Sequence, residues 1–399
     1  MSLNSTPSAE RVHISFFGRR NAGKSSVVNA VTNQNLSIVS DIKGTTTDPV
    51  NKAMELLPLG PVVITDTAGI DDEGELGQAR IEKTKNILNK TDIAVLVVDA
   101  LEGLSAYDNN LIDLFKEKNI PYIVAHNKID LLKNVPLPKE NECVVSAHTG
   151  EGINDLKEKM AHIALSNKKE KHIVSHLLNE NDTVVLVVPI DSSAPKGRLI
   201  LPQQQVIRDI IDCGASAIVV KETGLKALLE KLSFSVKMVI TDSQVFSYVE
   251  KIVPSSIPLT SFSILMANYK GNLEEAVKGV SSLKNIENGD KILISEGCTH
   301  HRQCEDIGTV KIPNILRKFT GKEIDFNWSS GNEFTDDITK YKAVIHCGGC
   351  MLNEREMQHR FNLAKNKNVP ITNYGITIAY ATGILKRSIE ILPEISKLL

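Results

Sequence analysis

Two groups of residues in this 399-residue chain have types and spacings suited to chemistry. The first is Gly18-Arg19-Arg20-Asn21-Ala22-Gly23-Lys24-Ser25, followed by Ser26. Its glycines let the backbone curl so that N–H groups face phosphate oxygens. Lys24 can reach the β and γ phosphates, and the Ser25 hydroxyl can ligate Mg²⁺. The second group is divided. Cys298-Thr299-His300 lies far from His346-Cys347-Gly348-Gly349-Cys350. Thiols and imidazoles this dense point to a thiolate-rich metal centre. A chain with both groups couples nucleotide hydrolysis to the handling of a metal.

The phosphate loop has companions in the order a GTPase requires. Asp66-Thr67-Ala68-Gly69 ends an apolar run. Asp66 suits the Mg²⁺ shell, and the Gly69 N–H can sense the γ-phosphate. Gly44-Thr45-Thr46-Thr47-Asp48 reads as a switch segment, with Thr46 the expected Mg²⁺ ligand. In Asn127-Lys128-Ile129-Asp130, the Asp130 carboxylate can accept two N–H bonds from a guanine edge, which adenine does not offer. Ser146-Ala147 fits the loop that touches the guanine carbonyl. The alternative, a nucleotide-free relic of the fold, does not account for so many ordered motifs.

For the metal, the ligand types leave two answers open. Three cysteines with a histidine suit closed structural zinc. Three cysteines also suit a 4Fe–4S cluster whose fourth iron takes a weaker ligand. Cys298 and His300 follow an apolar run at 291–295, and His346, Cys347 and Cys350 end or follow one at 342–346. In a parallel sheet both would emerge at the carboxyl edge, where open α/β sheets build sites. His300 and His346 are candidates for a fourth or supporting ligand, with His301 and Glu296 behind them. Cys304 reads as an ordinary helix cysteine, Cys143 and Cys213 as core, and His13, His126 and His148 as structural.

The elements that must position these groups alternate between short apolar runs and helix-period segments, which is an α/β pattern. Three α/β units are expected: a P-loop GTPase fold at 1–172, then two smaller, mostly parallel-sheet domains at 173–262 and 263–399. Strands are expected at 12–17, 62–66, 93–99, 122–127 and 143–146. Further strands are expected at 183–189, 217–220 and 237–240, then 291–295, 323–326, 342–346 and 369–373. The middle unit carries no catalytic constellation. An exposed sheet edge there could pair with a second copy. Net charge is −2, which gives no general reason to bind nucleic acid or an anionic membrane. No signal peptide or membrane span is read from the sequence, so a cytoplasmic protein is expected. In that compartment clustered cysteines favour a metal over disulfides.

Over about the first 170 residues these motifs resemble GTPases of the Era and TrmE type. The resemblance implies that Asn21 helps hold K⁺ beside the phosphates. Ile70 follows the Asp-Thr-Ala-Gly motif where Ras-like enzymes place a water-orienting glutamine, so slow, potassium-stimulated hydrolysis is expected. Glu75 is a weak candidate for a compensating carboxylate, in an acidic run that reads better as a solvated switch.

The whole chain, including Pro195-Lys196-Gly197-Arg198-Leu199-Ile200-Leu201-Pro202, resembles the HydF family, GTPases that mature FeFe-hydrogenase. That resemblance implies a 4Fe–4S cluster on Cys298, Cys347 and Cys350, a homodimer, and a scaffold or carrier role. The cargo would be the precursor of the two-iron subcluster, delivered to apo FeFe-hydrogenase in concert with radical-SAM maturases. The alternative is an RNA-modifying or ribosome-associated GTPase with structural zinc. A third reading, an electron carrier, would usually need four cysteines.

Overall fold

The computed structural model describes residues 6–34, 50–67, 84–167, 171–190, 199–232, 235–297, 306–331, 334 and 337–399. Thr46, Gly69, Ile70, Glu75, Cys298, His300, His301 and Cys304 lie outside the described residues. The backbone divides into two compact units, Met1–Lys169 and Glu170–Leu399.

The first unit is built on strands β1 (Val12–Phe17), β2 (Val50–Leu56), β3 (Gly60–Asp66), β4 (Ile93–Asp99), β5 (Tyr122–Asn127) and β6 (Glu142–Val144). They form one sheet in the order β2-β3-β1-β4-β5-β6. Every pair is parallel except β2 against β3. Burial explains the order. Ile93–Asp99 is buried along its whole length, as a central strand covered on both faces must be. Val50–Leu56 is largely exposed and sits at the edge. The helix Lys24–Thr32 starts directly after the phosphate loop and lays Val27, Val28 and Val31 on the sheet.

The second unit holds two four-stranded sheets. β7 (Thr183–Val187), β8 (Ser216–Val220), β9 (Met238–Thr241) and β10 (Leu259–Ser261) run in the order β10-β9-β7-β8. β11 (Lys291–Glu296), β12 (Asp325–Ser330), β13 (Ala343–His346) and β14 (Ile371–Asn373) run β12-β11-β13-β14. All pairings in both sheets are parallel. One apolar cluster joins Val185, Val187 and Val239 of the first sheet to Ile292, Ile294 and Ile345 of the second.

Three strands differ from expectation. β2 was not expected, because its residues alternate poorly and face solvent. β10 is only three residues long and follows Pro258, which disguised it as the end of a unit. β12 extends to Ser330 rather than ending at 326, because Asn327 and the following serines mask an edge strand.

Ile294 is fully buried at the centre of the β12-β11-β13-β14 sheet. Ile294→Ala should cost the second unit about 2–5 kcal/mol, lowering its melting temperature by about 2–4 °C per kcal/mol. Trp328 of β12 is the chain's single tryptophan, so its fluorescence reports selectively on this sheet. An unshifted Trp328 transition would contradict the core position of Ile294.

Candidate functional site

In the first unit β1 lies between β3 and β4, so the connection after β1 opens at the point where strand order diverges. Ligands of open α/β sheets bind at such points. The phosphate loop occupies it. Gly23 has φ +82°, and a Cβ there would lie 2.2 Å from Asn127 Nδ2, so only glycine fits. Asn127 staples three loops together: its Nδ2 donates to Ala22 O at 3.0 Å, and its Oδ1 accepts from Ala147 N at 3.0 Å. The asparagine of the base-recognising motif thus fixes the phosphate loop as well.

Lys24 is buried and its ammonium pairs with Asp66 Oδ1. Burial pulls the Lys24 ammonium below its ordinary range, with Asp66 opposing. Ser25 Oγ donates to Asp66 Oδ2 at 2.8 Å. A phosphate would take over Lys24, leaving Ser25 and Asp66 beside each other for Mg²⁺. On the base side, Lys128 Nζ pairs with Asp99 Oδ2 at 2.7 Å, and Ser146 Oγ donates to Asp130 Oδ1 at 2.6 Å. The structure therefore brings together Ala22, Gly23, Lys24, Ser25, Asp66, Asn127, Lys128, Asp130, Ser146 and Ala147. Asn21 adopts φ +64° within the loop.

In the second unit β11 and β13 are adjacent and parallel, with Ser295 opposite His346. Chain segments about 50 residues apart are thereby delivered to one edge. The Gly297 N–H donates to Cys347 Sγ at 3.1 Å, and the Gly349 N–H donates to the same sulfur at 3.3 Å. Cys298 follows Gly297 directly in sequence. Gly349 has φ +60°, and a Cβ there would meet Met357 Sδ at 2.3 Å. That glycine lets the loop turn tightly enough for its N–H to reach the sulfur. Burial, only partly offset by the two N–H donors, raises the Cys347 thiol to about 11. Among the described residues no group of three or more His, Cys, Asp or Glu side chains is gathered for a metal.

His346 is fully buried, and both its ring nitrogens are engaged. Nε2 is 3.0 Å from Arg360 Nη1, which can only donate, so Nε2 accepts. Nδ1 then carries the proton and donates to Cys347 O at 2.7 Å. Burial and the Arg360 charge lower the imidazole to about 3. With both nitrogens used, His346 supports the cysteine backbone in this structure. Glu296 is buried and accepts a hydrogen bond from Tyr374 Oη at 3.1 Å. Cys143 is buried, while Cys213 is partly exposed, its thiol donating to Ile210 O.

Two residues at this edge escaped the sequence reading. Arg360 is fully buried, bonded to Glu356, Gly331 O and His346. Its signal was present: it shares a helical face with the apolar Met357, Phe361 and Ala364. Lys270, which donates to Gly349 O and to Leu352 O, gave no such signal.

The chain matches the hydrogen maturase F dimerization domain over residues 173–271 and the hydrogen maturase F tetramerization domain over 274–391. Between them these two cover more than half of the chain. Residues 13–128 match a 50S ribosome-binding GTPase domain, and 81–187 match the elongation factor Tu GTP binding domain. Among curated relatives, the tRNA modification GTPase MnmE of Endomicrobium trichonymphae is 36% identical over 194 residues, 45% of this chain and 41% of the relative. GTPase Der of Nitratidesulfovibrio vulgaris is 38% identical over 125 residues, 30% of this chain and 25% of the relative. The chain thus spans less than half the length of these relatives. Among solved structures, Era of Aquifex aeolicus is 18% identical with a TM-score of 0.36, covering 60% of this chain and 97% of that one.

The depressed His346 imidazole has a consequence for the metal-free protein. Its folded value lies below its unfolded one, so the stability it contributes is complete above about pH 6.5 and is lost as pH falls toward 3. That loss amounts to about 1.4 kcal/mol per pH unit once the unfolded imidazole is protonated. His346→Gln should reduce the pH slope of the Trp328 unfolding transition between pH 6 and 4 by that amount. Equal slopes in both proteins would show that His346 is protonated in the fold.

Proposed function

We propose that this chain, which belongs to the HydF family of hydrogen maturases, is a GTPase and iron–sulfur scaffold that carries the two-iron precursor to apo FeFe-hydrogenase. The P-loop GTPase domain supports GTP hydrolysis and binding of GTP with Mg²⁺ as its chemistry. In our reading Lys24 and the Gly69 N–H hold the γ-phosphate, while Ser25, Thr46 and Asp66 serve Mg²⁺. Asn127, Lys128, Asp130, Ser146 and Ala147 hold the base. Turnover is slow and K⁺-stimulated through Asn21.

The observation that carries the scaffold reading is the meeting of Gly297 and Gly349 N–H groups on Cys347 Sγ at the shared β11–β13 edge. The donor set suits an iron–sulfur group: two thiols in one tight loop, a third cysteine next to Gly297 in sequence, and N–H donors aimed at sulfur. Cys298, Cys347 and Cys350 would hold a 4Fe–4S cluster. When bound, that group supplies an iron with an exchangeable position for cargo. His346 supports Cys347 rather than ligating, which leaves His300 as the histidine candidate for direct contact. Residues 1–172 then form the GTP-binding domain, 173–262 the dimerisation domain and 263–399 the cluster-binding domain. Partners are the apo-hydrogenase and the radical-SAM maturases, in the cytoplasm, without nucleic acid. No helix among the described residues is long and apolar enough to cross a membrane.

Each compact unit has its own core, so the nucleotide acts on placement or partner contacts rather than on iron chemistry. Anaerobic reconstitution, iron analysis and electron paramagnetic resonance test this together with GTP turnover. Lys24→Ala should abolish hydrolysis and keep about four irons per chain. Cys347→Ser should lose the iron and keep turnover. One zinc and no iron per wild-type chain would favour the RNA-associated reading.

β8 is an edge strand, paired only with β7 among the described residues, and its sequence Ser-Ala-Ile-Val-Val has no lysine or proline to guard it. Val219 on this strand is 46% exposed. This edge suits pairing with a second copy. Val219→Lys should reduce the mass in solution to half or less by light scattering. An unchanged mass would exclude the β8 edge as the contact.

A further inference from the structure

We infer that Lys270 and Arg360 are positioning residues of the cysteine loop: one buried cation bonds its carbonyl oxygens directly and the other acts through His346, and together they hold the shape that brings the Gly349 N–H to Cys347 Sγ. The inference rests on the reading of Cys347 and Cys350 as cluster ligands and extends it to the residues that shape their backbone.

Three carbonyls of the loop are accounted for. Cys347 O accepts from His346 Nδ1, whose tautomer is set by Arg360 at 3.0 Å from Nε2. Gly349 O and Leu352 O both accept from Lys270 Nζ, the latter at 3.3 Å. A trans peptide is planar, with C=O and the following N–H pointing opposite ways. Anchoring Cys347 O therefore turns the Gly348 N–H away from the anchor, and anchoring Gly349 O does the same for the Cys350 N–H. The donors that reach Cys347 Sγ are the Gly297 and Gly349 N–H groups. Sulfur ligands of iron are tuned by such donors and by nearby charge.

The two cations come from different elements. Lys270 caps the helix Phe262–Tyr269, at the end of the region matching the dimerization domain. Arg360 projects from the helix Glu354–Asn366 and is itself fixed by Glu356 and Gly331 O. Both side chains are buried, Lys270 at 7% exposure and Arg360 at 0%. Burying a charge is costly unless it is well bonded. Lys270 bonds the loop directly and Arg360 holds it through His346, so the loop is fixed from two sides.

The test uses the full-length chain, prepared anaerobically. Cobalt(II) is titrated into the apo-protein, and the reduction potential is measured on the four-iron cluster reconstituted with iron and sulfide. Removing a partner that orients a metal ligand typically weakens metal binding about 10–100-fold. Lys270→Met should show that loss and a more negative potential, with GTP turnover unchanged. Lys270→Arg, which can still fork to two carbonyls, should restore cobalt affinity to near wild type. Arg360→Lys should weaken cobalt binding while the Trp328 transition is retained. Wild-type cobalt affinity and potential in Lys270→Met would overturn the inference, whether or not Arg360→Lys folds. Cobalt binding by Cys347→Ser equal to wild type is a different result: it would remove the ligand reading itself, and this inference with it.

Discussion

Every strand pair in the second unit is parallel, and that constraint organises everything built on it. Parallel strands discharge their loops at one edge, and the crossovers return the chain along the faces. Residues remote in sequence then become neighbours without any contact designed between them beforehand. Ser295 lying opposite His346 is enough to bring the chain after β11 against the loop after β13. The same rule governs the first unit, where β1, β3, β4 and β5 deliver the phosphate loop, Asp66 and Asn127 to one rim. In each sheet the first strand has a neighbour on either side. Phosphate loop and cysteine edge are two uses of one geometric device.

How legible this was depends on what each residue had to satisfy. The nucleotide motifs were readable because phosphate, Mg²⁺ and guanine each demand particular donors at fixed spacing. The convergence of 291–296 and 343–346 was readable because both are continuous apolar runs, the mark of strands covered on both faces. β2 and β12 were hard to read because edge strands face solvent and lose the pattern that burial imposes. Within the second unit, Val239 of one sheet and Ile345 of the other share one apolar cluster. Composition does not encode whether two adjacent sheets pack on each other.

Site residues were missed for a different reason. A motif search selects residues that can touch a ligand, whereas Lys270 bonds the carbonyls of Gly349 and Leu352, and Arg360 bonds His346, Glu356 and Gly331 O. Arg360 could have been found, because an arginine on the apolar face of a helix, four residues from a glutamate, needs a buried partner. Lys270 could not, because its partner is a loop whose path is set by Gly349 and by the strand before it. Asn127 was named for the guanine base, but the structure adds its role as the strut beneath Gly23. A residue recognised for one interaction often carries a second that its motif does not announce.

The buried Glu356–Arg360–His346 chain also bears on what such networks are for. Replacing it by well-packed apolar side chains would often be neutral or stabilising, because desolvation consumes most of the Coulombic gain. Its value lies in specificity. An apolar residue at position 346 could pack as well, but it could not tell the Cys347 carbonyl which way to face. Imidazole can, because Arg360 fixes one nitrogen as acceptor and so obliges the other to donate. The direction of one hydrogen bond is transmitted through a ring to a peptide plane. Fixing the backbone in this way before any ligand arrives removes ordering entropy from the binding step.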